Sequence, residues 1–451
     1  TDTSYINLYT KEINNPSSII NTTTINEESG FDLNYGFGYF IDDDKKGTSF
    51  SLQIDYDDHN DEESIRYLNT DIETDTDDIG ETKILMIDYS APLFARTSKT
   101  SSTENDYNEN SIFEVGFKFD QEKDIHEMDV GSSPFHYKYY NEINAAYFNL
   151  PYYLSEKIGM QIGVRLESQK KDFAIDFENL VCPDEMCLNF NDYLNSESVF
   201  NSTVFNYKHT KIYPSLYFMY STEKGGTIKF GAGRRIKRPG HWNLNPIPDL
   251  EDFNSGFVNV GNPSLLPEDI FKAELSYSGM TPVGFIKATL YADNVTDQID
   301  RDKDIYIDSS GESFQILSWD NIGESHGNGF DLTFVTKPLP NWDLVLYGNY
   351  WNKEIIKAAE LDQLGKEFGF WGMITSKIKL DDKQQISIYS HHSSPMNITT
   401  GTISPFRRMD ISYKRKVSDK FNFTLKLKDV FDTGGFSIMT GQTLETEGDY
   451  Y

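Results

Sequence analysis

The sequence is poor in features that several protein classes require. It has only two cysteines, fewer basic than acidic residues and no long apolar run. Two cysteines in 451 residues exclude a scaffold held together by disulfides. The net charge of -30 argues against nucleic acid as a partner, because phosphate-binding proteins carry a basic surface. No run approaches the roughly 18–20 apolar residues of a transmembrane helix. No secretory signal is visible at Thr1.

Aromatic residues, in contrast, make up 14% of a chain whose mean hydropathy is -0.54. A transmembrane β-barrel combines these two properties, because half of each strand is polar and aromatic girdles mark both membrane interfaces. A large, acidic, β-rich secreted protein is the alternative, with its aromatic residues in the cores of β-sandwiches. Composition alone leaves both classes open.

Residues 406–430 predict a β-hairpin whose two faces differ along its whole length. After the turn at 417–420, polar residues alternate with four apolar ones: Phe421, Phe423, Leu425 and Leu427. Successive side chains of a strand point to opposite faces, so one face is apolar and the other is charged. The apolar face fits either the core of a sandwich or the lipid around a barrel.

The lengths of the connections favour the barrel. Short predicted turns (155–157, 223–226, 280–283, 338–341, 381–383 and 417–420) alternate with long predicted loops (58–81, 178–210, 237–268, 353–367 and 393–404). In an up-and-down barrel this order places all short turns on one side, which is the outer-membrane pattern. We therefore predict an all-β protein: a transmembrane, antiparallel, up-and-down β-barrel of the outer-membrane type.

The barrel prediction treats residues 1–451 as one domain with about seventeen strands. Single-chain bacterial barrels have an even number of strands, so at least one closing strand is expected beyond Tyr451. The full protein is expected to have about 18 to 22 strands.

Residues 226–277 carry the most specific pattern in the chain. Arg234-Arg235-Ile236-Lys237-Arg238-Pro239 leads to Trp242, and Gly261-Asn262-Pro263-Ser264-Leu265-Leu266-Pro267-Glu268 precedes a strand containing Glu274 and Tyr277. This order resembles the barrel of TonB-dependent receptors, within the outer-membrane β-barrel family allied to them. The resemblance extends over most of the chain from about residue 84 onward, with pieces such as Gly163-Val164-Arg165-Leu166-Glu167.

The resemblance implies a transporter of an unidentified solute in the bacterial outer membrane, and no enzymatic activity. Its expected partners are outer-membrane lipid and the TonB complex, the latter through a plug domain that cannot be read in this sequence. The missing plug motivates an alternative, in which the barrel is a structural or assembly component that docks a surface lipoprotein or other envelope subunits. A soluble β-sandwich adhesin is a third reading.

Two groups of residues are candidate sites. The first is a basic cluster in an acidic chain, Arg234, Arg235 and Arg238, followed by Trp242. This cluster either gathers an anionic substrate or plug carboxylates, or forms structural ion pairs with acids such as Glu268. The second group is Asp300, Asp302, Asp304 and Asp308, which has the alternate spacing of a calcium loop but Ile305 where an EF-hand requires glycine. A solvated acidic loop is the alternative for that stretch, and no other cofactor is expected.

The two cysteines, Cys182 and Cys187, lie close together in a polar loop without neighbouring histidines. Two thiolates alone make a poor zinc site, so we predict a local disulfide formed in an oxidising compartment. The sequence contains no nucleophile elbow, zinc-protease or phosphate-loop motif that would indicate catalysis.

Overall fold

The computed structural model describes residues 2–9, 19–43, 46–67, 73–93, 111–130, 133–177, 204–246, 257–307, 311, 313–355, 366–398, 401–440 and 443–449. Nearly all of these residues are in strands: β1 (Asp2–Tyr9), β2 (Ile19–Asp43), β3 (Thr48–Tyr67), β4 (Glu73–Pro92), β5 (Ile112–Val130), β6 (Ser133–Tyr153), β7 (Ile158–Phe177), β8 (Val204–Ser221), β9 (Thr227–Lys237), β10 (Phe257–Asn259), β11 (Glu268–Thr281), β12 (Gly284–Ile307), β13 (Ser313–Leu339), β14 (Trp342–Ile355), β15 (Lys366–Lys379), β16 (Gln384–Ser393), β17 (Met396–Ile398), β18 (Gly401–Ile403), β19 (Arg407–Ser418), β20 (Phe421–Leu427), β21 (Gly435–Thr440) and β22 (Thr443–Asp449). One short helix, α1 (His241–Leu244), lies between β9 and β10.

Seventeen strands form one continuous antiparallel wall in which each strand pairs with the next. The order runs from β1 to β9, continues through β11 to β16, and ends with β19 and β20. β10 pairs in parallel with the far end of β13, and the short strands β17, β18, β21 and β22 form a separate small sheet. The predicted up-and-down topology and the predicted strand number are confirmed.

The two faces of the wall alternate as the sequence predicts. On β7, Ile162, Val164 and Leu166 are each more than 40% exposed, whereas Glu167 and Gln169 are 2% exposed. We call the face that carries Glu167 the inner face and the opposite one the outer face. An apolar outer band extends over neighbouring strands, for example at Leu216 on β8 and Phe230 on β9.

The sandwich alternative is wrong, because no second sheet in the described part of the chain covers the apolar face of β20. Phe421, Phe423, Leu425 and Leu427 are 45–57% exposed in the structure. Exposed side chains of this kind require an apolar solvent, which hydrocarbon provides. Among the described residues, no helix is long and apolar enough to cross a bilayer.

Tight turns close the strands on one side of the wall. β8 and β9 meet at a turn in which Thr222 N donates to Gly226 O at 2.7 Å, and Gly225 takes a φ of 76°, which favours glycine. The other five predicted short turns are likewise flanked by paired strands. Short turns face the periplasm in outer-membrane barrels, so the opposite side is extracellular.

Two predicted loops are strands instead. The acidic loop predicted at 58–81 belongs mostly to β3 and β4, and β12 continues through the acidic stretch that begins at Asp300, as far as Ile307. The acidic composition of these segments indicated loops. The segments form strands because backbone pairing with neighbouring strands outweighs the low intrinsic β-propensity of acidic residues.

These extensions also change the sorting of connections by length. On the extracellular side, only two residues, 131 and 132, separate β5 from β6 in the sequence. The end of β4 and the start of β5, which are 19 residues apart in the sequence, are on the side of the short turns. The wall formed by β3, β4 and β5 therefore rises well beyond the apolar band.

Candidate functional site

A seam opens in the wall where β8 leaves β9, and the candidate site surrounds it. The ladder between these strands ends at the pair Ser215 and Gly233, although β8 continues to Val204 and β9 to Lys237. Pro214, the next residue of β8, has no backbone N–H with which to continue the ladder. Side chains, rather than backbone hydrogen bonds, therefore connect the strands around the seam.

The first of these connections centres on Asp269 of β11, which is 8% exposed. Arg234 of β9 holds both of its carboxylate oxygens, with Nε donating to Oδ1 at 2.6 Å and Nη2 donating to Oδ2. Lys211 of β8 reaches the same carboxylate, with Nζ 3.2 Å from Oδ2. Asp269 thus links three strands across the seam.

A second connection centres on Glu167 of β7, whose side chain is 2% exposed. Arg165 lies on the same strand, with Nη2 2.9 Å from Glu167 Oε2, and Arg238 bonds the other carboxylate oxygen from the segment after β9. Arg238 Nε also donates to Gln169 at 3.3 Å, and Gln169 donates to Asn141 at 2.8 Å. Burial and the neighbouring Arg165 both lower the pKa of Arg238.

These contacts fasten the connection between β9 and β11 to the wall. Near its other end, Lys171 Nζ donates to the carbonyl of Leu265 at 3.0 Å, and Leu244, Val258 and Leu265 are almost completely buried. Lys171 is 4% exposed, and burial lowers its pKa to about 8. The described parts of the connection, residues 238–246 and 257–267, are consequently packed against the wall and anchored to β7.

The predicted basic cluster is divided between different partners. Arg234 pairs with Asp269, Arg238 pairs with Glu167, and Lys237 pairs with Glu268 at 3.0 Å. Arg235 is exposed and makes no ion pair among the described residues. These contacts are those of the structural alternative, and anion binding by the cluster stays a prediction.

Trp242 is held away from the basic cluster, on α1. Its ring is edge-on to Trp319 of β13, with centroids 4.9 Å apart and an interplanar angle of 81°. Arg301 of β12 stacks over Trp319, with its guanidinium carbon 5.1 Å from the ring centroid. This group could not be predicted from the sequence, because Arg301 and Trp319 pair across two strands, one of which lies where an acidic loop was the alternative.

The predicted calcium ligands lie on a strand rather than in a loop. Asp300, Asp302 and Asp304 share one face of β12, while Asp308 lies outside the described residues. Asp302 and Asp304 line a cavity of about 240 Å³ together with Asn262 and Ser318. In the described ranges, no three histidine, cysteine or acidic side chains gather as a metal site. Calcium binding stays a prediction.

The disulfide prediction also stays open, because Cys182 and Cys187 are outside those ranges.

An acidic area faces inward on β4 and β5, beyond the apolar band. His126 Nδ1 is 2.6 Å from Asp78 Oδ1, and Glu122 accepts a hydrogen bond from Asn141 at 3.4 Å. Burial, together with repulsion from Glu122 and Asp78, raises the pKa of Asp124 to about 6. The inner wall therefore carries a group of acidic side chains on this side and the basic residues of the seam farther along.

We expect the Asp124→Asn variant to be more stable than the parent protein above pH 6. A carboxyl with a raised pKa stabilises the fold only while it is protonated, so its contribution is present below about pH 4 and is lost as the pH rises through about 6. Thermal unfolding in detergent, followed by circular dichroism from pH 4 to 8, measures the difference. Asp75→Asn, an exposed site on the same wall, is the control and should give no pH-dependent gain.

Comparison with known families identifies the chain. The model of the outer membrane protein beta-barrel family matches residues 42–450. The chain belongs to the outer membrane protein beta-barrel family. Its strands therefore cross the bacterial outer membrane, with the apolar outer band in lipid. No curated protein matches the sequence.

Solved structures share the fold. The ferric yersiniabactin uptake receptor FyuA from Yersinia pestis has a TM-score of 0.60 at 13% identity, over 94% of this chain and 60% of its own. The hemophore receptor HasR of Serratia marcescens was solved as a double mutant with its hemophore HasA and heme. Its TM-score is 0.54 at 11% sequence identity, and the match covers 95% of this chain and 67% of HasR. For the FpvAI–pyocin S2 complex the TM-score is 0.54 at 10% sequence identity, and the match covers 96% of this chain and 56% of that chain.

The likeness to these receptors is one of fold, given the low identities. The chain spans 60% of the length of FyuA. The resemblance to the barrels of TonB-dependent receptors, which rests on residues 226–277, is thus confirmed for the fold of the wall. The sequence motif at 234–239 marks the strand that borders the seam.

Proposed function

We propose that this chain is the barrel of a TonB-dependent-receptor-like transporter, which carries an unidentified solute across the outer membrane. One observation supports it above the others: the described parts of the connection between β9 and β11, residues 238–246 and 257–267, are anchored to β7 by Arg238 and Lys171. A rigid extracellular segment can hold binding groups in a fixed geometry, which reduces the entropy cost of capturing a dilute solute. FyuA, which shares the fold, is an uptake receptor.

Depletion of solutes from the growth medium tests the proposal. Cells that express the full-length gene, cells that lack it and cells that lack TonB are grown in one defined mixture, and the remaining solutes are quantified by mass spectrometry. We expect at least one solute to disappear only when both the gene and TonB are present. Identical depletion in all three strains would refute transport by this protein.

A second candidate function is the docking of an envelope partner. The wall formed by β3, β4 and β5 rises beyond the apolar band. A cavity of about 590 Å³ is lined by β2, β3 and β4, and its strongly acidic lining includes Asp32, Asp61 and Glu63. The HasR and FpvAI structures both contain a bound protein. A surface lipoprotein or another envelope subunit with a basic face would fit this acidic wall. Co-purification at a fixed stoichiometry supports this function, and a protein purified without partners that still imports solute argues against it.

A further inference from the structure

Trp242, Trp319 and Arg301 form a group of aromatic and basic side chains that is separate from the ion pairs of the seam. Trp242 is 63% exposed, although large apolar side chains outside the lipid band are costly to leave in water. The last apolar side chain on the outer face of β9 is Ile236, and Trp242 lies six positions beyond it, on α1 outside the strand. An exposed aromatic ring in a fixed position is typical of a binding surface.

The position of Trp242 is fixed by the backbone around it. Gly240 N donates to Asn243 Oδ1 at 2.8 Å, and Asn243 N donates to the carbonyl of Gly240 at 3.0 Å, which closes the turn. Asn262 N donates to the carbonyl of Asn243 at 2.7 Å, and its Nδ2 donates to the carbonyl of Trp319 at 3.0 Å. With 63% of its surface exposed, the Trp242 side chain is accessible to a ligand despite its contact with Trp319.

Arg301 provides the second recognition element. Its guanidinium is oriented by stacking on Trp319, and it forms no ion pair within the described part of the chain. A chain with a net charge of -30 offers many carboxylates, so an arginine left unpaired is unusual. A stacked guanidinium keeps its N–H groups available, and these match a carboxylate with two parallel hydrogen bonds.

We propose that Trp242 and Arg301 form an extracellular binding site for an acidic ring compound: the ring stacks on the Trp242 indole and the carboxylate pairs with Arg301. The proposal rests on the transport function and specifies the class of solute that the receptor captures. Two sources share this chemistry, aromatic acids and sugar acids, because both present a flat or apolar ring face beside a carboxylate.

Saturation-transfer NMR on the full chain in detergent tests the site with four probes. Benzoate and galacturonate represent the two acids, and benzamide and galactose are their neutral counterparts. We expect an acid to bind, with an affinity that falls about tenfold in Trp242→Ala. In Arg301→Gln, the affinity for the acid should fall about tenfold, and that for its neutral counterpart less than twofold.

Phe368→Ala is the matched control, since Phe368 is an aromatic side chain that is 70% exposed elsewhere on the wall. Binding of one acid only identifies the source and supports the site. The proposal is overturned if no probe gives a saturable signal, or if Trp242→Ala and Phe368→Ala behave alike. Acid binding without TonB-dependent depletion would uphold the site and refute transport. TonB-dependent depletion without acid binding would support transport and overturn the proposed site.

Discussion

The Glu167→Ala variant is expected to lose about 3 kcal/mol of unfolding free energy, since removing one partner of a buried ion pair leaves the other charge uncompensated. Glu167 is 2% exposed and holds two guanidinium groups, those of Arg165 and Arg238. Without its carboxylate, these two cations repel each other in a region of low dielectric constant. The connection after β9 also loses one of its attachments to β7, the bond between Arg238 and Glu167. Chemical denaturation in detergent, with refolding controls, measures the change.

Glu223→Ala is the matched control for this prediction. Glu223 pairs with Lys157 at 3.1 Å, but its side chain is 81% exposed. Exposed pairs contribute about 0–1 kcal/mol because water and salt screen them. Equal losses of unfolding free energy in the two variants would show that the ion pairs of Glu167 stabilise the fold no more than an exposed pair does. Glu167→Gln, which keeps hydrogen-bonding capacity but not charge, should fall between the two.

The Leu216→Arg variant is expected to lose about 2–4 kcal/mol, the cost of a cation near the midplane of the bilayer on the lipid face of a barrel. Leu216 lies on the outer face of β8, between Ile162 of β7 and Ala232 of β9. It is 44% exposed in the isolated chain, so lipid is what surrounds it. Folding into liposomes at increasing denaturant concentrations gives the free energy.

Ile212→Arg tests the depth dependence of this cost. Ile212 is on the same face of β8, where the apolar band ends and Thr210 follows. Near an interface, the cost of arginine falls to about 0–1 kcal/mol, because the side chain can reach water. A loss at Ile212 as large as that at Leu216 would mean that hydrocarbon does not surround this part of β8.

The alternation of apolar and polar residues predicts the wall but not its height. Phe421, Phe423, Leu425 and Leu427 mark a strand because one face must meet an apolar medium. At Asp57–Tyr67 no such face exists, since both faces are in water, and the extended hairpin is held by backbone pairing with β2 and β4. Periodicity of hydrophobicity carries no signal there. The same reason explains the missed end of β12.

The seam could be predicted in part. The family-like motif contains Arg234 and Arg238, and alternation along β7 places Arg165, Glu167, Gln169 and Lys171 on one face. Which carboxylate each arginine meets could not be predicted, because Asp269 and Glu167 reach them across strands far apart in sequence. The group around Trp242 also depends on three separate segments, which only tertiary packing brings together.

Spin labels at each of residues 216–220 on β8 give the most direct test of the membrane-spanning wall. In a Cys182→Ser, Cys187→Ser background in liposomes, collision rates with oxygen and with a water-soluble nickel complex report lipid and water, respectively. Labels at Leu216, Phe218 and Tyr220 should favour oxygen, and labels at Tyr217 and Met219 should favour nickel. Uniform accessibility along the five positions would contradict a wall with lipid on one face and water on the other.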